Sequence, residues 1–197
     1  MFKNLSLLTT LLRASLLVLA AAGAHAAEVA GVKLPDTVKV GSADLALNGA
    51  GLRTRFMMKI YVGALYLPEK KSSAAEVLAA GGPKRVAMHM MRNLSAEQLA
   101  GALDEGLSNN LAPAEREKMQ PQIDALHATM AAVGAAHEKS VLVLDYLPES
   151  GATRLSLDGV QKGSLIPGED FYRALMKIWL GDKPVDASLK AAMLGQG

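Results

Sequence analysis

Hydrophobic positions along the chain follow two periods, one typical of strands and one typical of helices. Up to about residue 92, short runs rich in valine, leucine and methionine are broken by Gly, Pro and Asp, which favours β-strands. One short apolar segment, stopped by glycine at its end, predicts a helix instead. The predicted strands are 29–35, 37–47, 55–68 and 84–91, and the predicted helix is 72–82.

The pattern changes to a helical period after residue 92. Ser95 predicts an N-cap, and Gln98 stands three residues later, where it completes a capping box. Pro113 predicts the first turn of a second helix, and Gly134 predicts its end. The apolar face of the first helix is Leu99, Leu103, Leu107 and Leu111; that of the second is Met119, Ile123, Leu126, Met130 and Val133.

A hairpin and two further helices complete the predicted fold. Segments 140–147 and 153–158 read as strands around a loop at 148–151, and a helix over 167–180 ends at Gly181. Asp186 predicts the cap of a last short helix. Strands and helices are segregated along the chain, which favours an α+β fold with an antiparallel sheet and helices on one face. An apolar pocket between these two layers is then expected.

The first 26 residues have the features of a secretory signal peptide. The segment holds two basic residues, Lys3 and Arg13, and no acid. An apolar run follows them, and Ala24-His25-Ala26 comes after that run. Its uninterrupted apolar run, 14–22, is too short to span a bilayer. We therefore expect cleavage after Ala26, export to the periplasm or secretion, no membrane span after cleavage, and a single domain over 27–197.

Composition narrows the possible functions. The chain has no cysteine, so an exported form is free of disulfides and has no thiol chemistry. Two of the 21 Lys and Arg residues lie in the predicted signal peptide, which leaves as many basic as acidic residues (19) in the rest. This balance, without a basic block, predicts no binding of nucleic acid or anionic membrane. A small or apolar molecule, or a protein, is the expected partner.

Three possible motifs carry no chemistry. Gly49-Ala50-Gly51 begins like a dinucleotide fingerprint, but a strand rather than a helix follows, so we expect a tight turn. His89 and His127 lack the spacing of metal ligands. No G-x-S-x-G elbow is present. The sequence therefore predicts no metal, no cofactor and no hydrolase triad.

The segment around Arg53 and Tyr61 carries the candidate chemistry. Strand alternation places Tyr61 on one face with Met57, Lys59, Gly63 and Leu65, while the other face, from Phe56 to Tyr66, is the expected core face. Lys59 and Tyr61 then belong either to a solvated face or to a pocket. In the pocket interpretation, Arg53 and Tyr61 meet one anionic head group, because an arginine fork suits a carboxylate and a tyrosine hydroxyl can add a bond.

The segments LNGAGLR and KIYVGALYLP, with later segments in the same order, resemble the chalcone isomerase-like family in its bacterial exported branch. These are RVAMHMMRNLSAEQL, SVLVLDYLPESGATRLSLDG and IPGEDFYRALMKIWLGDKPV, which together cover essentially the whole chain after the predicted signal peptide. The resemblance implies an open-faced antiparallel sheet with helices layered on one side. Some members cyclise chalcones, and others bind fatty acids without catalysis.

The resemblance also implies roles for single residues. Arg53 falls where family members have an arginine, with Arg55 as the alternative, and Tyr61 falls where the fatty-acid binders have a tyrosine. Leu99 and Gly106 fall where the enzymes have a tyrosine and an asparagine. Neither side chain can donate a hydrogen bond or hold an oxyanion, which argues against an enzyme and leaves no predicted catalytic residue.

We therefore expect a non-catalytic, exported binder of a fatty acid or a similar amphipathic carboxylate. Its expected site consists of Arg53 and Tyr61 at the head group and of Leu99 and Leu103 along the tail. Two alternatives stay open. One is an isomerase or lyase acting on a small phenolic or carbonyl compound; the other is a structural or interaction module in which Arg53 and Tyr61 bond only to each other.

Overall fold

The computed structural model describes residues 27–197, so the predicted signal peptide lies outside the described residues. The strands are β1 (Ala27–Val29), β2 (Val32–Leu34), β3 (Thr37–Val40), β4 (Ala43–Arg55), β5 (Met58–Leu67), β6 (Lys84–Met90), β7 (Leu94–Ser95), β8 (Ala135–Ala136), β9 (Val141–Leu147), β10 (Ala152–Leu157) and β11 (Val160–Pro167). The helices are α1 (Ala74–Ala79), α2 (Ala96–Asn110), α3 (Pro113–Lys118), α4 (Gln120–Val133), α5 (Glu169–Leu180) and α6 (Ala187–Met193).

The main sheet is antiparallel and has seven strands in the order β11-β10-β9-β6-β5-β4-β3. It curls, since β3 contacts β9 although three strands separate them. Helices α2, α4 and α5 cover one face and bury the larger core with side chains of β5, β6, β9 and β10. The predicted α+β fold, an open-faced sheet with helices on one side, is confirmed.

A smaller inner cluster fills the other side of the curl. It contains Val62, Ala64 and Tyr66 of β5, together with Leu34 and Leu45 from the N-terminal strands. Both faces of β5 are therefore buried from Tyr61 to Leu67. The expectation of a single core face on this strand is wrong, because the curl of the sheet covers the face that the helices leave open.

Caps and breakers place most helix ends where the sequence predicts them. Ser95 and Gln98 form the capping box of α2, and Asp186 accepts hydrogen bonds from the first amides of α6. The single helix predicted from Pro113 to Val133 is instead divided at Met119 into α3 and α4. Pro121 explains the division, because it has no amide hydrogen for the helical bond to Glu117.

The glycines of the 48–51 segment do not form the predicted tight turn. Gly49 and Gly51 lie within β4, and α6 packs directly on them. A Cβ at Gly49 would lie 2.1 Å from the Ala192 carbonyl oxygen, and one at Gly51 would lie 2.6 Å from the Ala192 Cβ. Glycine is needed here for close approach of the helix and not for turn geometry.

Strand β11 and the end of β10 correct the last part of the prediction. Asp158 and Gly159, both with positive φ, connect β10 to β11, which the sequence analysis left unassigned. Helix α5 begins at Glu169 rather than at Pro167, because Pro167 ends β11 and Gly168 turns the chain with φ +111°.

Within residues 27–197, no helix combines the length and the apolar character that a membrane crossing requires.

Candidate functional site

Arg53 and Tyr61 face each other across the hairpin of β4 and β5. Their Cα atoms are paired in the ladder, whereas the next pair is Thr54 with Lys59. Ile60 is therefore an extra residue, a β-bulge, and it interrupts the alternation of side chains. Ile60 and Tyr61 both enter the core beneath the helices, while Lys59 is exposed. The interpretation that puts Lys59 on one face with Tyr61 is wrong for this reason.

The Tyr61 hydroxyl is held from the helical layer. Trp179 of α5 donates its indole Nε1–H to the Tyr61 oxygen over 2.8 Å, and both side chains are buried. Burial raises the pKa of the Tyr61 phenol, and the nearby charge of Arg53 and the bond from Trp179 only partly oppose this. The phenol therefore keeps its proton at neutral pH. Since its oxygen accepts from Trp179, its hydrogen is left for another acceptor.

Arg53 lies beside Tyr61 without an acidic partner among residues 27–197. Its guanidinium Cζ is 5.5 Å from the centroid of the Tyr61 ring, a cation–π distance. Its Nε–H is buried and has no hydrogen-bond partner within the described chain. A buried donor without a partner is costly, so this group marks a position at which an acceptor would be stabilising.

A small apolar cavity joins these side chains to the helices. All four predicted site residues line it: Arg53, Tyr61, Leu99 and Leu103. Trp179 and Ile178 of α5 and Met88 of β6 also line it. Its volume is about 30 Å³, which suffices for one or two water molecules. The four residues thus meet at one place, but the space between them is smaller than the several hundred Å³ of a typical ligand pocket.

An outer recess lies on the solvent side of Arg53. Its volume is about 170 Å³, and its polar lining includes Arg53, Arg55, Lys183, Glu105 and Asn109. Arg55, the alternative to Arg53 in the sequence analysis, lies here at the surface, where its Nη1 is 3.9 Å from a Glu105 oxygen. Of the two arginines, Arg53 is the one that lines both the outer recess and the apolar cavity.

Comparison with known proteins agrees with this architecture. A model of the family described as chalcone isomerase-like matches residues 26–195. The chain belongs to that family. A crystal structure of a fatty-acid binding protein from Arabidopsis thaliana is similar, with a TM-score of 0.65 and 14% sequence identity over 83% of this chain and 92% of that one. At this identity the likeness shows the fold alone. No curated protein sequence matches the chain significantly.

The two positions at which chalcone isomerase-like enzymes are expected to carry polar side chains have different roles here. Leu99 is buried against the apolar cavity. Gly106 lies where α2 crosses α5, and a Cβ there would come within 2.7 Å of the Ile178 Cγ2 and 3.2 Å of its Cβ. An asparagine at 106 would therefore force the two helices apart. Helix packing gives a reason for this glycine that is independent of catalysis.

Trp179 is the functional candidate that sequence reasoning missed. Phe171, Leu175 and Ile178 share a buried face of α5, and Trp179 continues it. One signal was available, since Trp179 is the only tryptophan of the chain. A tryptophan in a helix that packs on a sheet requires an acceptor for its N–H, and this points to a polar atom in the facing strand.

Among residues 27–197, no cluster of three His, Asp or Glu side chains could hold a metal ion.

Proposed function

We propose that this protein binds a fatty acid or a similar amphipathic carboxylate without transforming it. One observation carries the proposal: the side chains of Arg53 and Tyr61 line one apolar cavity, where the buried Arg53 Nε–H has no acceptor among residues 27–197 and the Tyr61 oxygen, which accepts from Trp179, keeps its own hydrogen to donate. A carboxylate is an acceptor-only group with two oxygens, so it complements this pair. The bond from Trp179 fixes the orientation of the hydroxyl before a ligand arrives.

The electrostatic surroundings favour an anion over a neutral ligand. Arg53, Arg55 and Lys183 line the outer recess, against the single carboxylate of Glu105. A ligand carboxylate near Arg53 would gain a charge-assisted hydrogen bond in a partly buried place, where such bonds are stronger than in water. Tyr61 stays protonated because burial raises the pKa of its phenol, so it donates to the anion and does not repel it.

The ligand tail requires movement of the helical layer. The apolar cavity, about 30 Å³, holds a few carbon atoms at most, whereas an acyl chain needs several hundred Å³. Leu99 and Leu103 of α2 form one wall, and most of the remaining lining comes from the main sheet and α5. We infer that α2 moves away from β5 when a tail enters, so that apolar side chains stay covered by the ligand.

The experiment uses Trp179 as its reporter. As the only tryptophan, it gives an emission signal that comes from the site itself. Titration with palmitate or oleate is expected to change this emission with saturation. Arg53→Ala is expected to weaken binding by roughly 10- to 100-fold, because a charge-assisted bond is lost. Tyr61→Phe is expected to weaken it by about fivefold, since only a neutral donor is removed.

Arg55→Ala is the matched control. It removes the same charge from a surface position two residues further along the chain, and it should change the affinity by about threefold or less. A second readout is extraction of the purified protein and mass spectrometry of the extract. A stoichiometric fatty acid in the wild type, depleted in Arg53→Ala and kept in Arg55→Ala, supports the proposal. No saturable binding and an empty extract contradict it.

The structural-module alternative is favoured by one observation, the small volume of the cavity. In that case Arg53 and Tyr61 serve only each other through the cation–π contact. Arg53→Ala would then lower the free energy of unfolding of a protein that contains no bound lipid. It would not change the binding of added fatty acid, because the wild type would bind none. Equal emission of Trp179 with and without fatty acid, in the wild type, would decide for this alternative.

We also propose that the protein is exported to the periplasm or secreted. The support is the residue pattern of the first 26 positions, which lie outside the described structure. Mass spectrometry of the protein recovered from the periplasm or medium of the producing cell tests this. A chain that begins at Ala27 is the expected result, and an intact Met1 segment in a cytoplasmic product would contradict it.

A further inference from the structure

The turn between β4 and β5 presents a run of three exposed apolar side chains. Phe56, Met57 and Met58 are 82%, 98% and 46% exposed; together they are called the apolar tip. Single exposed hydrophobic residues are common on protein surfaces and need no explanation. Three in succession at the end of a hairpin form a projecting apolar surface that nothing in residues 27–197 covers.

The backbone of this tip is unfavourable for the residues that it carries. Phe56 and Met57 have φ of +50° and +62°, as the two central positions of a tight hairpin turn require. Asn-Gly is the preferred pair in such a turn, because bulky side chains are disfavoured in the left-handed region. A turn chosen for stability alone would not hold phenylalanine and methionine, so the outlier points to a role for their side chains.

Basic side chains surround the apolar tip. Arg55 precedes it with its Cζ 5.5 Å from the centroid of the Phe56 ring, and Lys59 follows it in β5. Arg92, after the end of β6, donates from Nη1 to the Met58 sulfur over 2.9 Å. The facing acid is Glu105, 3.9 Å from Arg55. Arg55 and Lys59 belong to the same hairpin as the tip, and the fold brings Arg92 beside them from a separate segment.

We propose that the apolar tip inserts into the interface of a membrane containing anionic phospholipid, with Arg55, Lys59 and Arg92 at the level of the head groups. An apolar end flanked by cations is complementary to a bilayer with a negative surface. The apolar side chains leave water on insertion, while the charged groups stay hydrated at the level of the head groups. Insertion of so few residues gives weak and reversible binding. This function goes beyond the proposed ligand binding and does not depend on it.

The position of the tip gives docking a consequence for the outer recess. Arg55 belongs to both, since it lines the recess and adjoins Phe56. A protein docked through the tip therefore holds the entrance to Arg53 at the bilayer surface. A lipid-derived anion could pass between membrane and recess over a short path.

Vesicle flotation tests the proposal with protein recovered from the producing cell, its N-terminus read by mass spectrometry. The probes are vesicles of phosphatidylcholine alone and of phosphatidylcholine mixed with phosphatidylglycerol. The key variant is Phe56→Asn/Met57→Gly, which replaces the tip by a favoured turn. We expect the wild type to float with the anionic vesicles and this variant to bind at least about tenfold more weakly. Because the variant relieves strain, misfolding cannot explain its loss of binding if its melting temperature is unchanged or higher.

Two controls separate the tip from general stickiness and general charge. Leu165→Ser removes an exposed apolar side chain from β11, at the opposite end of the sheet, and should leave flotation unchanged. Lys59→Gln/Arg92→Gln should weaken binding to anionic vesicles about tenfold or more and reduce its dependence on salt. Lys33→Gln/Lys118→Gln, which changes two exposed lysines elsewhere, should have no such effect.

Three outcomes would overturn the proposal. The wild type could fail to float with anionic vesicles, or the Phe56→Asn/Met57→Gly variant could float as well as the wild type. In the third, the wild type elutes as a dimer without vesicle binding and the variant elutes as a monomer. That result would make the apolar tip a contact between two copies of this chain.

Discussion

At the scale of single residues, the contact between Trp179 and Tyr61 is the link between the helical layer and the candidate head-group site. The indole N–H has one place to donate, and the phenol oxygen accepts from it within the core. Each group would be buried and unpaired without the other. The bond therefore contributes through the penalty that its loss would impose more than through its own strength.

A double-mutant cycle measures this coupling. Tyr61→Phe is expected to lower the free energy of unfolding by about 1–3 kcal/mol, because the Trp179 N–H loses its acceptor in a buried place. Trp179→Phe costs more, since volume is also lost. The double variant should be more stable than additivity predicts by at least about 0.5 kcal/mol. Urea unfolding followed by circular dichroism gives the four values, and strict additivity would show that the bond does not couple the two side chains.

Arg53 and Tyr61 could be named from the sequence, whereas the arrangement around them could not. That an arginine and a tyrosine meet follows from the family resemblance; their pairing across two strands does not, because the predicted strands end at residue 47 and begin again at 55. The β-bulge at Ile60 does not follow either, because no turn residue or charge marks it, and it alone decides that Tyr61 enters the core while Lys59 stays in water. The small volume of the cavity depends on how the surrounding side chains pack, and no periodicity in the sequence encodes that packing.

At the scale of elements, the contact of α6 with β4 depends on the absence of side chains. Gly49 and Gly51 leave space that the Ala192 backbone and Cβ occupy. Sequence reasoning took these glycines for a turn, because a glycine needed for close packing and one needed for positive φ look the same in a sequence. Asp158-Gly159 shows the opposite error. This pair is typical of a hairpin turn, yet the sequence analysis does not assign the strand β11 that follows it.

Gly51→Ala tests the close packing of α6. Its new Cβ would lie 2.6 Å from the Ala192 Cβ, so we expect a loss of about 1–3 kcal/mol in the free energy of unfolding. Adding Ala192→Gly removes the facing atom and should recover part of that loss. Gly81→Ala, with no atom within 4 Å of the new Cβ, is the matched control and should be nearly neutral. A Gly51→Ala protein as stable as the wild type would contradict the packing argument.

Helix α2 is the element that we expect to respond to a ligand. Leu99 and Leu103 are buried and line the apolar cavity, and their helix must shift if a tail is to enter. Hydrogen exchange of α2 amides should therefore slow when oleate is bound, because a filled cleft removes the open states of the empty one. Amides of β9, in the centre of the sheet, serve as the internal reference. Equal exchange of α2 in both states, at saturating oleate, would contradict the movement of this helix.

At the scale of the whole molecule, all four tyrosines of the chain lie in protected positions. Burial raises the pKa of the phenols of Tyr61, Tyr146 and Tyr172, and it raises that of Tyr66 to about 12. Tyr172 donates to the Leu144 carbonyl, and Tyr61 is held by Trp179. The side chains belong to both cores, so their ionisation reports on the integrity of the entire sheet and its cover.

Alkaline titration tests this protection. An unfolded chain loses its phenol protons near pH 10, while the folded chain keeps them to higher pH. The folded state thus binds more protons in that window, so the stability that the phenols contribute is complete below about pH 10 and is lost as pH rises above it. Native protein should show tyrosinate absorbance only well above pH 10, with urea-unfolded protein titrating near 10. Coincident titration of the two samples would mean that the phenols are open to solvent.

The position of α6 determines when the fold can be completed during synthesis. Asn48 of β4 donates to the Met193 carbonyl across 145 residues, so β4 completes its contacts only after α6 has been synthesised. At elongation rates of about 5–20 residues per second this interval is on the order of ten seconds. Until then, Gly49 and Gly51 of β4 lack the helix that packs on them. The domain therefore stays incomplete until α6 has been synthesised, which is compatible with the proposed export, since a chain crosses a translocation channel before it folds.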